Sequence, residues 1–319
     1  MIHQVLDYFR RLGGAIGDCW TRFWFTPSDP ATLSAIRLFT GLVVVYLHAT
    51  LSLDLIALFG PNGLLPVADI APLESGNFSY LNFLSAPSEL WAAHILGLAI
   101  LMLFAVGFWT RLTSILGLIV FLSDIHRAPM ITSLTEPIVA MVMCYLCLAP
   151  CGRRFSLDHW LARRAERNTP TRMDNSESST SATIATRLIQ VHLALLILMM
   201  GFSKLSGEPW WNGMGAWLLI ARQESRLVDF TWLHATPKAI DLWTHAIVAF
   251  ELAFPLLIWF PLARPLLLAV GLAIWTSLAL LTGEITFALM LAIASLAFVS
   301  PAYLVACLHR TVPAKEMPA

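Results

Sequence analysis

Long runs without charge constrain this chain more than any other feature of its sequence. No Asp, Glu, Lys or Arg occurs between Glu89 and Arg111 or between Glu284 and Arg310. Each run is about 20 residues or more, enough for a helix to cross a hydrocarbon core of ~30 Å. Of all residues 58% are hydrophobic and 13% are charged, where soluble domains carry roughly 25% charged residues. These runs lack strand alternation, so we predict an all-α integral membrane protein.

The apolar segments predict a polytopic bundle of about eight transmembrane helices. The segments fall at approximately 31–58, 89–109, 111–127, 132–151, 183–204, 240–260, 263–282 and 285–306. The number becomes seven if 111–127 is only re-entrant. Lys and Arg favour the connections on the N-terminal face by about three to one. Because cytoplasmic loops collect positive charge, both termini are predicted to be cytoplasmic.

The remaining segments divide the chain further. Residues 1–27 mix aromatic residues and Leu with Arg, which predicts an amphipathic helix on the membrane surface. Residues 28–310 form the predicted transmembrane domain, with a polar cytoplasmic loop at 152–183, and 311–319 form a short tail. The segment 206–240 is rich in Trp and Leu, and we expect it to cap the bundle at the outer interface, above a cavity.

Ionisable side chains within the apolar segments are the first candidates for a functional site. Each costs at least ~2.5 kcal/mol to insert at the centre of a helix. Glu251 has no positive residue within one turn, so we expect it either to be protonated or to pair across helices with Arg37, Arg187 or Lys204. Arg37 is open to two interpretations, a side chain that snorkels to the interface or a helix–helix hydrogen bond. Gln190 lies about four turns from Lys204, near the same helix face.

Lys204 raises the sharpest question, because it stands where an apolar run meets the polar residues of GFSKLSGEPWWNG, 201–213. One interpretation is an anchor at the membrane boundary, where lysine is common. The other is a base. The chain has only three lysines, Lys204, Lys238 and Lys315, and lysine can lose its proton when desolvated whereas arginine cannot. The sequence position alone leaves both interpretations open.

Other function classes find little support in the sequence. The net charge is +0 and no basic stripe occurs, which argues against a nucleic-acid partner. No HExxH motif or close His, Cys and carboxylate cluster predicts a metal, and no GxSxG elbow predicts a serine nucleophile. Cys144, Cys147 and Cys151 share one face of a predicted helix. They are interpreted either as small residues at a helix contact or as a thiol–quinone redox pair.

Five segments, in order, resemble the HTTM domain of the bacterial membrane relatives of vitamin K-dependent gamma-carboxylase. They are DPATLSAIRLFTGLVVV, FGPNGLLP, GFSKLSGEPWWNGMG, FELAFPLLIWFP and LALLTGEITFALML. The resemblance implies that Lys204 is the base that deprotonates a quinol, and that Trp211 and Gly213 follow it in the motif. Trp275 stands where family members usually carry His, and the chain ends at Ala319, where the carboxylases continue into a large lumenal domain. The resemblance therefore implies the membrane module rather than protein carboxylation.

These observations define the predicted site. Lys204 is the candidate base, and its candidate polar neighbours are Glu251, His126 and Arg127. The candidate ligand-binding residues are Trp210, Trp211, Gly213, Trp275, Arg37 and Gln190. The expected cofactor is a vitamin K-like quinol, with no metal. An enzyme of this kind would carry out carboxylase-like, quinol-dependent lyase or oxidoreductase chemistry.

The leading alternative is a non-enzymatic membrane subunit, scaffold or small-molecule transporter. That alternative predicts a membrane or soluble protein partner in addition to the lipid bilayer. Abundant Arg and Ala with little Lys indicate a bacterium with GC-rich DNA. The predicted location is therefore the bacterial inner membrane.

Overall fold

The computed structural model describes residues 2–66, 78–166, 178–222, 227–304 and 306, without the side chains of 2 and 5. The predicted all-α class is confirmed, since 79% of the described residues are helical. The described ranges contain no β-strand, only an isolated antiparallel bridge between Ser28 and Ser179. The predicted tail 311–319 and positions 167–177 of the predicted polar loop lie outside the described residues.

The described residues form α-helices of very different lengths. In chain order they are α1 (Ile2–Phe25), α2 (Ala31–Thr50), α3 (Leu55–Phe59), α4 (Pro87–Val106), α5 (Thr110–Arg127), α6 (Thr135–Cys147), α7 (Leu157–Glu166), α8 (Thr180–Leu205), α9 (Glu208–Trp211), α10 (Gly215–Ile220), α11 (Pro237–Leu257), α12 (Arg264–Thr282) and α13 (Ile285–Ser295). Short 3₁₀ segments connect several of them, and Leu296–Phe298 extends α13. Helix α7 falls inside the predicted polar loop, so that loop is partly structured.

Among the described residues, five helices are long and apolar enough to cross a membrane. They are α2 with its 3₁₀ extension to Leu53, α4, α8, α11 and α12. They indicate an integral membrane protein, as predicted. Helix α6 and the segment Ile285–Phe298 are apolar but shorter, and α5 carries Arg111, Asp124 and Arg127. The count of eight crossings and the cytoplasmic placement of both termini stay predictions.

Glycine allows the closest helix contacts in the bundle. A Cβ atom at Gly41 of α2 would lie 2.6 Å from Ala105 Cα of α4, so these backbones touch. At Gly201 of α8, a Cβ atom would lie 3.2 Å from Glu251 Cβ of α11. Helices pack this closely in membranes when a small residue faces the partner. The contact at Gly201 brings α8 and α11 together next to Lys204 and Glu251.

Candidate functional site

A lysine–glutamate pair joins α8 to α11. Lys204 Nζ donates a hydrogen bond to Glu251 Oε1 at 2.7 Å. The side chain of Lys204 is 16% exposed and that of Glu251 is 3% exposed. Of the three cations proposed from sequence as partners for Glu251, Lys204 is therefore the one that binds it.

The pair lies well inside α11 rather than at its end. Glu251 follows Pro237, the first residue of α11, by fourteen positions, which at 1.5 Å per residue is ~21 Å along the helix. The chain after α8 folds back beside the first half of α11, where Thr244 Oγ1 donates to Gly213 O at 2.8 Å and accepts from Ala216 N at 3.0 Å. Lys204 itself is the last residue but one of α8. Whether it anchors the helix at the membrane boundary or acts as a base stays a prediction.

Two tryptophans follow the lysine and have different roles. Lys204 Nζ lies 5.2 Å from the centre of the Trp210 ring, close enough for a cation–π interaction. Trp211 Nε1 instead donates to Leu205 O at 2.6 Å, and its side chain is 64% exposed. Trp210 thus forms a wall beside the pair, as expected. Trp211 instead donates a hydrogen bond to one of the carbonyl groups at the end of α8 that have no partner within the helix.

Gly213 is required by backbone geometry. Its φ is +78°, and a Cβ atom there would lie 2.0 Å from Asp241 Oδ1. A residue with a side chain would be strained in this left-handed conformation and would also collide with α11. Gly213 positions the segment that covers the pair, and none of its contacts involves Lys204.

One carboxylate oxygen at the site has no partner. Glu251 Oε2 is buried and makes no hydrogen bond within the described part of the chain. Buried polar atoms are nearly always hydrogen-bonded, and each exception calls for an explanation. The pair therefore contains a buried acceptor that is unsatisfied within the described residues.

An apolar groove of about 680 Å³ ends at Lys204. Its walls come chiefly from α8 and include Leu188, Leu195, Met199 and Met200, with Ser203 next to the lysine. The volume is within the ~300–1,000 Å³ of typical ligand sites. Deeper in the groove, Tyr145 OH and His192 Nδ1 are hydrogen-bonded at 2.8 Å. A ligand with a polar head and an apolar tail matches this shape.

A second polar cluster, absent from the predicted site, joins α2, α4 and α5. His48 Nδ1 lies 2.7 Å from Asp124 Oδ2, and His48 Nε2 donates to His94 O at 3.1 Å. The two histidine rings stack at 4.2 Å, and His94 Nε2 lies 2.7 Å from Ser52 Oγ. Both nitrogens of His48 face oxygen acceptors, so the histidine and the carboxyl group share a proton. A cavity of about 200 Å³ adjoins the cluster.

His126 and Arg127 do not join the lysine–glutamate pair. His126 Nδ1 donates to Phe78 O at 2.8 Å. Arg127 is fully buried, donates to Leu65 O at 2.6 Å and stacks over the Phe59 ring. These contacts fix the loops around the end of α5. The grouping of both residues with Lys204 as polar neighbours is therefore not reproduced.

Three predicted ligand-binding residues are occupied by contacts within the protein. Arg37 donates to Phe104 O and Ala105 O at 3.0 and 3.2 Å, so it caps the end of α4 and the helix–helix interpretation is confirmed. Gln190 Nε2 donates to Ala297 O at 2.6 Å. Trp275 is buried in an aromatic cluster with Phe250 and Phe254. Arg37 and Trp275 therefore have packing roles, whereas Gln190 also lines a cavity of about 350 Å³ at the start of α8.

The cysteines near the end of α6 are free thiols. Cys144 is exposed, Cys147 is partly buried and Cys151 is buried. Burial raises the pKa of the Cys151 thiol to about 12, so this sulfur is unreactive at neutral pH. Within the described residues, no group of three or more His, Cys, Asp or Glu side chains is arranged to hold a metal ion.

Comparisons with protein-family models, with curated proteins and with solved structures find no match for this chain. The resemblance to the HTTM domain therefore stays a hypothesis based on the five quoted segments. What the chain does must be inferred from the lysine–glutamate pair, its tryptophan wall and the groove that ends beside them.

Proposed function

We propose that this chain is an HTTM-type protein of the bacterial inner membrane that binds a quinol-like lipophilic molecule and removes a proton from its hydroxyl group. Lys204 is the base. The observation that carries the proposal is the hydrogen bond of 2.7 Å between Lys204 and Glu251 at the end of an apolar groove. A buried lysine that only anchored the helix would need neither the carboxyl partner nor the groove.

The pair can exchange a proton without any further reactant. When Glu251 Oε1 takes the proton from Lys204 Nζ, the nitrogen becomes a neutral amine with a free lone pair. The amine then accepts the proton of the ligand hydroxyl group: the O–H bond breaks, an N–H bond forms and the ligand becomes an oxyanion. The resulting ammonium lies next to that anion, and its charge stabilises it in a water-poor site.

The groove and the wall account for the chemical class of the ligand. An aromatic head beside Lys204 would contact Trp210, and its tail would follow Met199, Met200 and Leu195 along α8. Glu251 Oε2 is buried and Glu251 does not line the groove, so Lys204 is the member of the pair that meets the hydroxyl group of the ligand. A quinol, which carries a hydroxyl group on an aromatic ring, supplies that group.

An alkylated naphthol tests the proton transfer, because its emission distinguishes the naphthol from the naphtholate. Wild-type protein in mild detergent should bind the probe and increase the naphtholate fraction at pH 7.5. Lys204→Met should abolish that increase, whereas Lys238→Met, which removes the exposed lysine at the start of α11, should leave it unchanged. If Lys204→Met produces as much naphtholate as the wild type, Lys204 is not the base.

The same preparation separates this proposal from a non-enzymatic role. A membrane subunit or scaffold would co-purify with a stoichiometric protein partner, and its groove would be covered by that partner. A monomeric preparation that binds the naphthol through Lys204 supports the proposal. A tight complex that neither binds nor ionises the probe contradicts it.

A further inference from the structure

A second cavity, with a different chemistry, lies at the opposite end of α8 from Lys204. It has a volume of about 350 Å³ and is formed where α1 ends, α2, α8 and α12 begin, and the 3₁₀ extension of α13 ends. Three arginines contribute to its walls, Arg22 from α1, Arg187 from α8 and Arg264 from α12. Thr183 and Thr186 of α8 also line it, and their hydroxyl groups donate to Thr26 O and Ala182 O. The cavity thus concentrates positive charge.

None of these three arginines is neutralised by a carboxylate among the described residues. Arg22 Nε donates to Asp18 O, Arg264 Nε donates to Ile258 O, and Arg187 donates from Nε to Phe23 O and from Nη1 to Gln190 Oε1. A guanidinium group has five N–H donors, so each arginine has further donors beyond these hydrogen bonds.

The acidic side chain in this cavity is already engaged. Asp29 accepts from Arg154 at 2.9 and 3.1 Å and from Ala31 N at 2.8 Å. The charge of Asp29 is therefore balanced by a fourth arginine, Arg154. An anion entering the cavity would meet the uncompensated guanidinium groups of the other three.

Helix α1 indicates the surroundings of the cavity. Its last turn is attached to α8, where Arg187 stacks over the Phe23 ring at 4.3 Å. Along α1, Phe9, Ile16 and Trp20 are each 61% exposed, an apolar stripe beside basic residues. Such a helix lies in the plane of a membrane interface, with its apolar stripe among the acyl chains. The cavity beneath its end is then at the depth of lipid headgroups.

We propose that the cavity bounded by Arg22, Arg187 and Arg264 binds a phosphate group, carried by the headgroup of an anionic phospholipid. Guanidinium groups bind phosphate with paired, charge-assisted hydrogen bonds. Basic pockets between membrane helices bind anionic headgroups in the same way. The site is independent of the proposed base chemistry, since it lies at the other end of α8 and uses other residues.

Lipid retention tests the site. Protein is exchanged into detergent with equal amounts of phosphatidylglycerol and phosphatidylcholine, and bound lipid is counted by native mass spectrometry. Phosphatidylglycerol should be retained selectively. Arg187→Gln/Arg264→Gln should weaken its binding about 30-fold, the combined contribution of two arginines near a lipid surface. Arg163→Gln/Arg164→Gln is the matched control, because both arginines are exposed on α7, outside the cavity and away from the interfacial helix α1, and should have little effect.

A parallel titration with inorganic phosphate, in lipid-free detergent, distinguishes the source of the phosphate group. A rise in Tm that depends on Arg187 and Arg264, without selective lipid retention, would assign the cavity to a soluble phosphate compound. If the double variant does not fold, Arg22→Gln changes only an exposed cavity residue and should still reduce binding. Equal lipid and phosphate binding by the cavity variants and the control would overturn the proposal.

Discussion

Lys204→Met should destabilise the protein strongly, because it leaves Glu251 buried with neither of its oxygens bonded. The Glu251 side chain is 3% exposed, and Oε2 already lacks a hydrogen-bond partner within the described residues. Removing one member of a buried ion pair costs about 3–5 kcal/mol. At about 2 °C per kcal/mol for a chain of this size, Tm should fall by about 6–10 °C. Tryptophan fluorescence during heating in detergent measures the change. Lys238→Met, at an exposed lysine, should shift Tm by about 1 °C or less.

The double variant Lys204→Met/Glu251→Met makes the test specific. Replacing a whole buried ion pair by apolar side chains of similar volume is often neutral or stabilising. The double variant should therefore recover most of the Tm that each single variant loses, which is a large coupling energy in a double-mutant cycle. Losses that add to within about 0.5 kcal/mol would show that the two residues do not interact. A loss below about 1 kcal/mol in both single variants would mean a solvent-exposed pair, and either result refutes the buried geometry.

Three further predictions concern other parts of the fold. Gly107→Ala should lower Tm by several degrees, because Gly107 has a φ of +74° and an added Cβ atom would lie 2.0 Å from Arg37 Nη1, displacing the arginine that caps α4. Asp124→Asn should lower the free energy of unfolding by about 1–3 kcal/mol in the same assay, since it removes the carboxylate that is hydrogen-bonded to His48. An unchanged Tm would argue against the pair. Cys151 should resist maleimide at pH 8 while exposed thiols react, as followed by mass spectrometry. Rapid labelling of folded protein at pH 8 would contradict the burial. The pKa of Cys151 is about 12 in the folded protein, above the usual value of about 9. The thiol therefore ionises first in the unfolded chain, and raising the pH through 9–12 should reduce the free energy of unfolding.

Much of the fold can be predicted from the sequence because the apolar runs are long and their ends are marked by charge. Helices occur in every segment where a crossing was predicted. The number of crossings is harder to predict, because hydrophobicity does not distinguish a spanning helix from a short one that is covered by its neighbours. Helix α6 and the segment Ile285–Phe298 illustrate this: both are apolar, yet both are shorter than the five long helices. Such short helices are tolerated when neighbouring helices cover them.

The site was predictable only in part. The cost of a charge in an apolar segment showed that Glu251 needs a partner and left Lys204 as one of three candidates. Trp210 was expected as an apolar wall of the site. The partial burial of Lys204 was not predictable, because it depends on the segment after α8 folding back along α11. Asp124 was not among the predicted site residues, because the histidine that it binds is 76 residues away in the chain. A carboxylate near the end of an apolar helix was the signal available for it.

The most direct test of the account is the identity of the molecule held in the groove beside Lys204. Protein purified in mild detergent is extracted with organic solvent, and the extract is compared with that of Ser203→Trp, which fills the groove next to the lysine. We predict that the wild type retains a hydroxylated aromatic compound with an apolar tail, and that Ser203→Trp loses it while keeping a normal Tm. Identical extracts that contain only bulk membrane lipid would contradict the account.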